Sequence, residues 1–519
     1  MKKNHTLKRT VAIVFALVLI VSTCVCAFAQ GEGGPGGPGG APGGQGGPGG
    51  GSSENPTYTG ATTITSSVTE TGKKYTSSTG SENALLARSG TSTLKNITVN
   101  KTGDADGEDA DFYGTNAAVL AYEDATLNIS GANITTAAGH ANAVFAYDGG
   151  TINISDSTIK TTGNNSGGVM VTGGGILTAT NVTAETDGNS SAPIRSDRGG
   201  GTLTVNGGSY TSNGQGSPAI YSTADIKVDG AKLTSTSSEG VVIEGKNSVT
   251  LNKTTLTDTN NSLNGNSETY KNIFIYQSMS GDADEGAGSF TATDSNITTN
   301  QGDSFFVTNT TALITLTNNT IVNNDKSGAF LRTQSSKWGN EGSNGGDVTL
   351  KAQQQEINGD IIADSISSVA MQLSKNSTLT GTINGDDSAK SVSLSLDGSS
   401  VLTLTGDSYL SSLENESSDN ANINLNGHTL YVDGKAITQT AYQEKTTQPQ
   451  TTEQSDAETP AKSENSTSTY IIIAVLALVA VTCVVVFVVI KSKKSGVKKE
   501  SQQDESDAAP TRKTKEDNE

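Results

Sequence analysis

Apolar and polar residues alternate along most of this chain, and the alternation recurs at a fixed interval. Six stretches align: "DATLNISGANITT" from Asp124, "GGTINISDSTIKTT" from Gly149, "GGILTATNVTAET" from Gly174, "GGTLTVNGGSYTS" from Gly200, "TADIKVDGAKLTS" from Thr223 and "KNSVTLNKTTLTD" from Lys246. Thr126, Thr151, Ile176, Thr202, Asp225 and Ser248 open equivalent segments, spaced 25, 25, 26, 23 and 23 residues apart. Within them Leu127/Ile129, Ile152/Ile154, Leu177/Ala179, Leu203/Val205, Ile226/Val228 and Val249/Leu251 are apolar, and their neighbours are mostly Thr, Asn, Asp or Lys. A period of two with an apolar column is a strand with one buried face, and a repeat of this length marks a stacked architecture. Gly, Asn or Asp turns break each repeat into about three strands, and helical periodicity is absent. The pattern predicts an all-β fold, a right-handed parallel β-helix of about thirteen coils of 23–26 residues. Arrays of β-sandwiches are the alternative; residue-for-residue columns argue against them.

The two ends have other patterns. A basic start, "MKKNHTLKRT", and the apolar run Val11–Val21 lead to "AFA" at residues 27–29, which predicts a signal peptide over 1–29 cut before Gln30. Residues 30–56 are a Gly/Pro-rich linker, 57–437 the β-helix, and 438–469 a Thr/Gln/Glu/Ser-rich stalk. Ile471–Ile490 is an uncharged run of 20 residues, long enough to cross a bilayer, which predicts one transmembrane helix over 470–490. Lys491, Lys493, Lys494, Lys498 and Lys499 follow in the tail 491–519, so the bulk of the chain is expected outside the cell membrane. The segment 30–469 has no cysteine, and the net charge is −19. Disulfides are thereby excluded there, and nucleic acid is an unfavourable partner.

Candidate chemistry concentrates around "IRSDRGGGT". Ala87, Ala121, Ala146, Val171, Ile194, Ile220 and Ile243 align as an inward apolar column. The residues that follow, Arg88, Tyr122, Tyr147, Thr172, Arg195, Tyr221 and Glu244, are then expected to face out, one above another at about 4.8 Å. Arg195, Tyr221 and Glu244 fall on consecutive coils, with Asp197, Arg198 and Lys246 beside them. Aromatic faces next to charged hydrogen-bonding groups suit carbohydrate. The structural alternative is an Arg195–Glu244 ion pair with Asp197 capping the turn before Gly199. Catalysis would need two carboxylates across a sugar, drawn from Asp197, Glu239 and Glu244, or Arg195 or Lys246 acting with calcium as a lyase. No histidine triad is expected, because His140 and His428 sit in turn-like settings. "GDADGEDAD" offers Asp104, Asp106, Asp109 and Asp111 as Ca²⁺ ligands; a solvated acidic insertion is the alternative.

The stretches "DFYGTNAAVLA", "GGVMVTGGG", "IRSDRGGGT", "SPAIYSTADI", "VIEGKNSVTL", "IYQSMSGDA" and "WGNEGSNGG" resemble secreted or membrane-anchored β-helix surface proteins of Gram-positive bacteria. The resemblance covers about Ala84 to Gly434. It implies a fold similar to the pectate-lyase-like superfamily, whose members include polysaccharide lyases, hydrolases and adhesins. The expectation is an adhesin or carbohydrate-recognition protein whose partner is an extracellular glycan or a host or bacterial surface protein. A polysaccharide-acting enzyme is second, and a structural surface spacer third.

Overall fold

The computed structural model describes residues 56–438, apart from 264 and 266, together with residue 442. The predicted signal peptide, transmembrane helix and cytoplasmic tail, with nearly all of the linker and stalk, lie outside the described residues. No helix among the described residues is long and apolar enough to cross a membrane.

The chain winds as a parallel β-solenoid with three principal sheets of twelve, fourteen and ten strands, here sheets 1, 2 and 3. Sheet 1 runs from Thr63–Ile64 to Ile361–Ala363, sheet 2 from Thr69–Thr71 to Ser412–Asn415, and sheet 3 from Lys74–Ser77 to Thr320–Asn323. Successive coils contribute one strand to each, so every strand pairs with its equivalents one coil away. In sheet 2 Thr126, Thr151, Ile176, Thr202, Asp225 and Ser248 stand in one register column, as the repeat predicts. Their apolar neighbours Leu127, Ile152, Leu177, Leu203, Ile226 and Val249 are buried in a single core running along the solenoid. Fourteen stacked strands exceed the thirteen coils expected, because the irregular C-terminal coils continue the same winding.

Two turn columns keep the coils in step. Between sheets 2 and 3, Asn96, Gly131, Asp156, Asn181, Gly207 and Gly230 all have positive φ. Asn, Asp and Gly recur there because they adopt this left-handed conformation at least cost. Between sheets 3 and 1 a serine ladder spans coils: the amide of Ala141 donates to Ser166 Oγ at 3.0 Å, that of Ser166 to Ser191 Oγ at 2.9 Å, and that of Ser191 to Ser217 Oγ at 2.8 Å.

Sheet 1 departs from the expected register. Val171 pairs with Ser196, not Ile194, so Arg195 stands beside Met170 and Tyr221, and Tyr221 beside Val242. Glu244 belongs to the next outward column, opposite Tyr276. The outer face of sheet 1 carries two separate apolar clusters. One is Leu86, Ala117, Leu120, Tyr122, Phe145 and Met170; the other is Val242, Phe274, Tyr276 and Phe306. Arg195 lies between them.

Candidate ligand-binding site

Two insertions frame the outer face of sheet 1 on either side of Arg195. The first contains the one short helix among the described residues, α1 (Glu108–Tyr113), and it starts within the acidic run expected to be a calcium loop. The second is the segment around Asp282. Arg198 ties them together: its Nη1 donates to Glu108 Oε2 at 2.9 Å and its Nε to Asp282 Oδ1 at 2.6 Å. The guanidinium also lies 4.0 Å from the centre of the Phe112 ring. Further bonds hold α1 down. Thr172 Oγ1 donates to the Phe112 carbonyl at 2.5 Å, Tyr58 Oη to that of Tyr113 at 3.2 Å, and His140 Nδ1 sits 2.8 Å from Asp111 Oδ1.

The insertions leave a cavity of about 280 Å³. Arg195 and Tyr221 line its sheet side, Phe112 and Asp282 come from the insertions, and Asp197 and Tyr276 complete that face. The turn residues Asn165, Ser190, Ala192, Gly216 and Pro218 close the other side. Arg195 is anchored by Nη1 to the Ser190 carbonyl and by Nη2 to Asp197 Oδ2, both at 2.9 Å. Only 12% of its side chain and 4% of that of Asp197 is exposed. Burial pushes the Asp197 carboxyl up to about 6 against the pull of Arg195, and the neighbouring Asp282 charge adds to the rise. Burial costs the Arg195 cation most, but the charge and hydrogen bond of Asp197, with the charge of Asp111, together hold the guanidinium above its ordinary value.

Glu244 sits beneath the cavity as a shared acceptor. Tyr221 donates to its Oε2 at 2.6 Å and Tyr276 to the same oxygen at 2.8 Å, while Ser278 bonds Oε1. Burial raises both phenols well above their usual range, so both remain donors near neutral pH. The carboxylate therefore orients the two rings that face the cavity.

Arg195, Asp197 and Tyr221 thus line one cavity, with Arg198 and Glu244 as its supports. The structure places the other expected residues and contacts elsewhere. Arg195 pairs with Asp197, not Glu244, because the register places Glu244 two positions further along the strand direction. Lys246 pairs with Asp284 on the exposed surface at 2.9 Å, away from the cavity lining. Tyr122 and Tyr147 pack with Tyr58 under α1, at ring-centre distances of 4.3 and 6.3 Å, and do not reach the cavity. Asp104, Asp106, Asp109 and Asp111 do not converge. Asp104 accepts from the Gly139 amide at 2.8 Å, Asp111 faces His140, and Asp106 is exposed. Among the described residues no three acidic, histidine or cysteine side chains form a set that could hold a metal ion.

Phe112 and Tyr276 were missed as site residues, and Asp282, in the acidic run "GDADEG" with Asp284 and Glu285, is offered by the sequence only as a calcium ligand. All three lie in stretches with a sequence signal, an aromatic beside an acidic run. Their meeting depends on contacts 84 and 90 residues apart, from Arg198 to Asp282 and Glu108. Compared with family models, curated proteins and solved structures, the chain matches none.

Proposed function

We propose that the cavity beside Arg195 binds a sugar unit of an extracellular glycan, and that the solenoid is an adhesive or carbohydrate-recognition rod. The observation that carries this is the pairing of Phe112, Tyr221 and Tyr276 with fixed polar groups around about 280 Å³. Ring faces stack on the apolar face of a sugar, while Asp197, Asn165 and Asp282 offer hydrogen bonds to its hydroxyls. Arg195 is already satisfied by Asp197 and Ser190, so it orients the carboxylate and is not left free to capture an acidic sugar. The resemblance to Gram-positive β-helix surface proteins, the leader and the apolar run Ile471–Ile490 support display outside the cell on a single membrane span.

A second reading, polysaccharide cleavage, is favoured by one feature. Asp197 holds its proton up to about pH 6 and lies near a second carboxyl, Asp282. A carboxyl tuned in this way can act as a general acid. Incubation of the full-length protein, in detergent, with plant, host and bacterial glycans separates the readings. Retained intact glycan supports recognition, and shortened or unsaturated products support the enzyme. Phe112→Ala is expected to weaken binding at least about tenfold, the loss of one stacking face. Unchanged binding in this variant would remove the cavity from the recognition surface, and no retention with any glycan would leave the spacer reading.

A further inference from the structure

The charge around the cavity is unbalanced. Arg195 is the cation in its lining, and Asp197 and Asp282 are the carboxylates. Against that lining stand Arg198, which holds Asp282 and Glu108, and the buried Glu244, which accepts from Tyr221, Tyr276 and Ser278. Two guanidinium groups thus meet four carboxyl groups: Arg195 and Arg198 against Glu108, Asp197, Glu244 and Asp282. Asp111 of α1 and His140 pair with each other at 2.8 Å and leave that difference as it is. Partial burial keeps solvent and salt from screening the excess negative charge.

One residue ties the two lining carboxylates together. The main-chain amide of Arg198 donates to Asp197 Oδ1 at 3.1 Å, and its Nε donates to Asp282 Oδ1 at 2.6 Å. Asp197 also accepts from Arg195 on Oδ2 at 2.9 Å. A carboxylate has room for about four hydrogen bonds, so both groups keep capacity for a further donor. The rings add to the same preference. Tyr221 and Tyr276 donate their phenol protons to Glu244, which leaves more electron density on the rings, and electron-rich ring faces attract cations. Phe112 already takes one, the Arg198 guanidinium at 4.0 Å from its centre.

We propose that the sugar taken by this cavity is an amino sugar with a free ammonium, a glucosamine-type unit of an N-deacetylated glycan, bound with its charge at Asp197 and Asp282. The inference rests on the reading of the cavity as a sugar site and names the class of sugar. An ammonium brings three donors and one positive charge to two carboxylates that repel each other, while the ring it sits on stacks against the aromatic side chains. An N-acetylated sugar offers one N–H and no charge, and its acetyl group needs further room in about 280 Å³. A uronic acid would add a carboxylate to a site already in excess of them, and a neutral hexose leaves the imbalance untouched. A lysine side chain carries the same ammonium, but its thin stem does not fill a space closed by Phe112, Tyr276 and the turn residues Ser190, Gly216 and Pro218. The net charge of −19 also draws a cationic glycan toward the solenoid.

Titration calorimetry of the full-length protein in detergent at pH 6.5 tests this with three small probes: the glucosamine disaccharide, the N-acetylglucosamine disaccharide and dilysine. The glucosamine disaccharide is expected to bind at least about tenfold more tightly than either of the others, the worth of a charge-assisted contact combined with ring stacking. Phe112→Ala is expected to weaken it at least about tenfold. The comparison of probes uses the natural protein and does not depend on the variant folding. N-acetylglucosamine binding as tightly or more tightly would overturn the ammonium and leave the cavity a sugar site. Dilysine binding as tightly, or glucosamine binding unchanged in Phe112→Ala, would show attraction to the acidic surface at large and overturn the proposal. Binding of neither disaccharide would overturn it as well, while the wider glycan panel decides separately whether the cavity takes a sugar.

Discussion

Arg195 shows how one side chain serves architecture and chemistry together. Its removal leaves Asp197 buried among polar groups without its cation. Arg195→Ala is therefore expected to cost about 3–5 kcal/mol of stability at pH 7.5, the usual range for breaking a buried pair. The pH dependence identifies the cause. The Asp197 carboxyl is raised from 3.8 to about 6 in the fold, so the folded state holds this proton more tightly than the unfolded state. Its contribution to stability is then fullest below pH 3.8 and declines as pH rises through 6. Without Arg195 the carboxyl rises further, and the penalty of the substitution should shrink as the pH falls from 7.5 to 5. Thermal unfolding at the two values measures this, and an equal loss at both would place the cost elsewhere. The partnership itself was only half legible. "IRSD" places Arg195 and Asp197 two residues apart on one face of a strand, which is readable by alternation. The choice of Asp197 over Glu244 depends on register, which is not.

The strands of sheet 2 were legible because one face meets water and the other the core, so polarity alternates cleanly. Those of sheet 1 were not. Phe145 and Met170 point away from the core yet are 0% exposed under the α1 insertion, and "VMV" at Val169–Val171 reads as uniformly apolar. With the period masked, alignment slipped by two residues between Val171 and Ile194. The insertion is also where a pH effect belongs. The hydrogen bond to Asp111 raises His140 above its ordinary value; burial and the Arg195 charge oppose this, and Asp106 assists. Asn165 contacts the other ring nitrogen at 3.1 Å. A raised histidine contributes stability that is full below its unfolded value of about 6.5 and is lost as pH rises through the folded one. Hydrogen exchange in residues 103–116, corrected for intrinsic rates, is expected to accelerate about fivefold across that transition, the worth of one such bond. His140→Gln should abolish the pH dependence. A dependence that survives would assign the effect to Asp197 instead, whose carboxyl is raised to about 6 beside Arg198.

At the scale of the whole solenoid, the strands of each coil contact only those of its neighbours, and only the insertions held by Arg198 and Thr172 reach further, so stability is close to a sum of local interfaces, and the ends decide solubility. The C-terminal end has its own device. The chain reverses after Leu430–Val432, and Lys435–Ala436 pairs with that strand as the one antiparallel pair among the described residues. Tyr409 and Tyr431 stack beside it at 4.9 Å, and Leu430 is buried. This hairpin covers part of an edge that would otherwise present unpaired backbone groups to another chain. Deleting residues 427–438 is expected to leave the unfolding of the central coils, including those around the cavity, within about 1 kcal/mol of the parent, because no interface there is lost. The same deletion should produce concentration-dependent association in light scattering, since Leu410 and Ile423 lose their cover. A collapse of the central coils instead would show the solenoid to unfold as one cooperative unit.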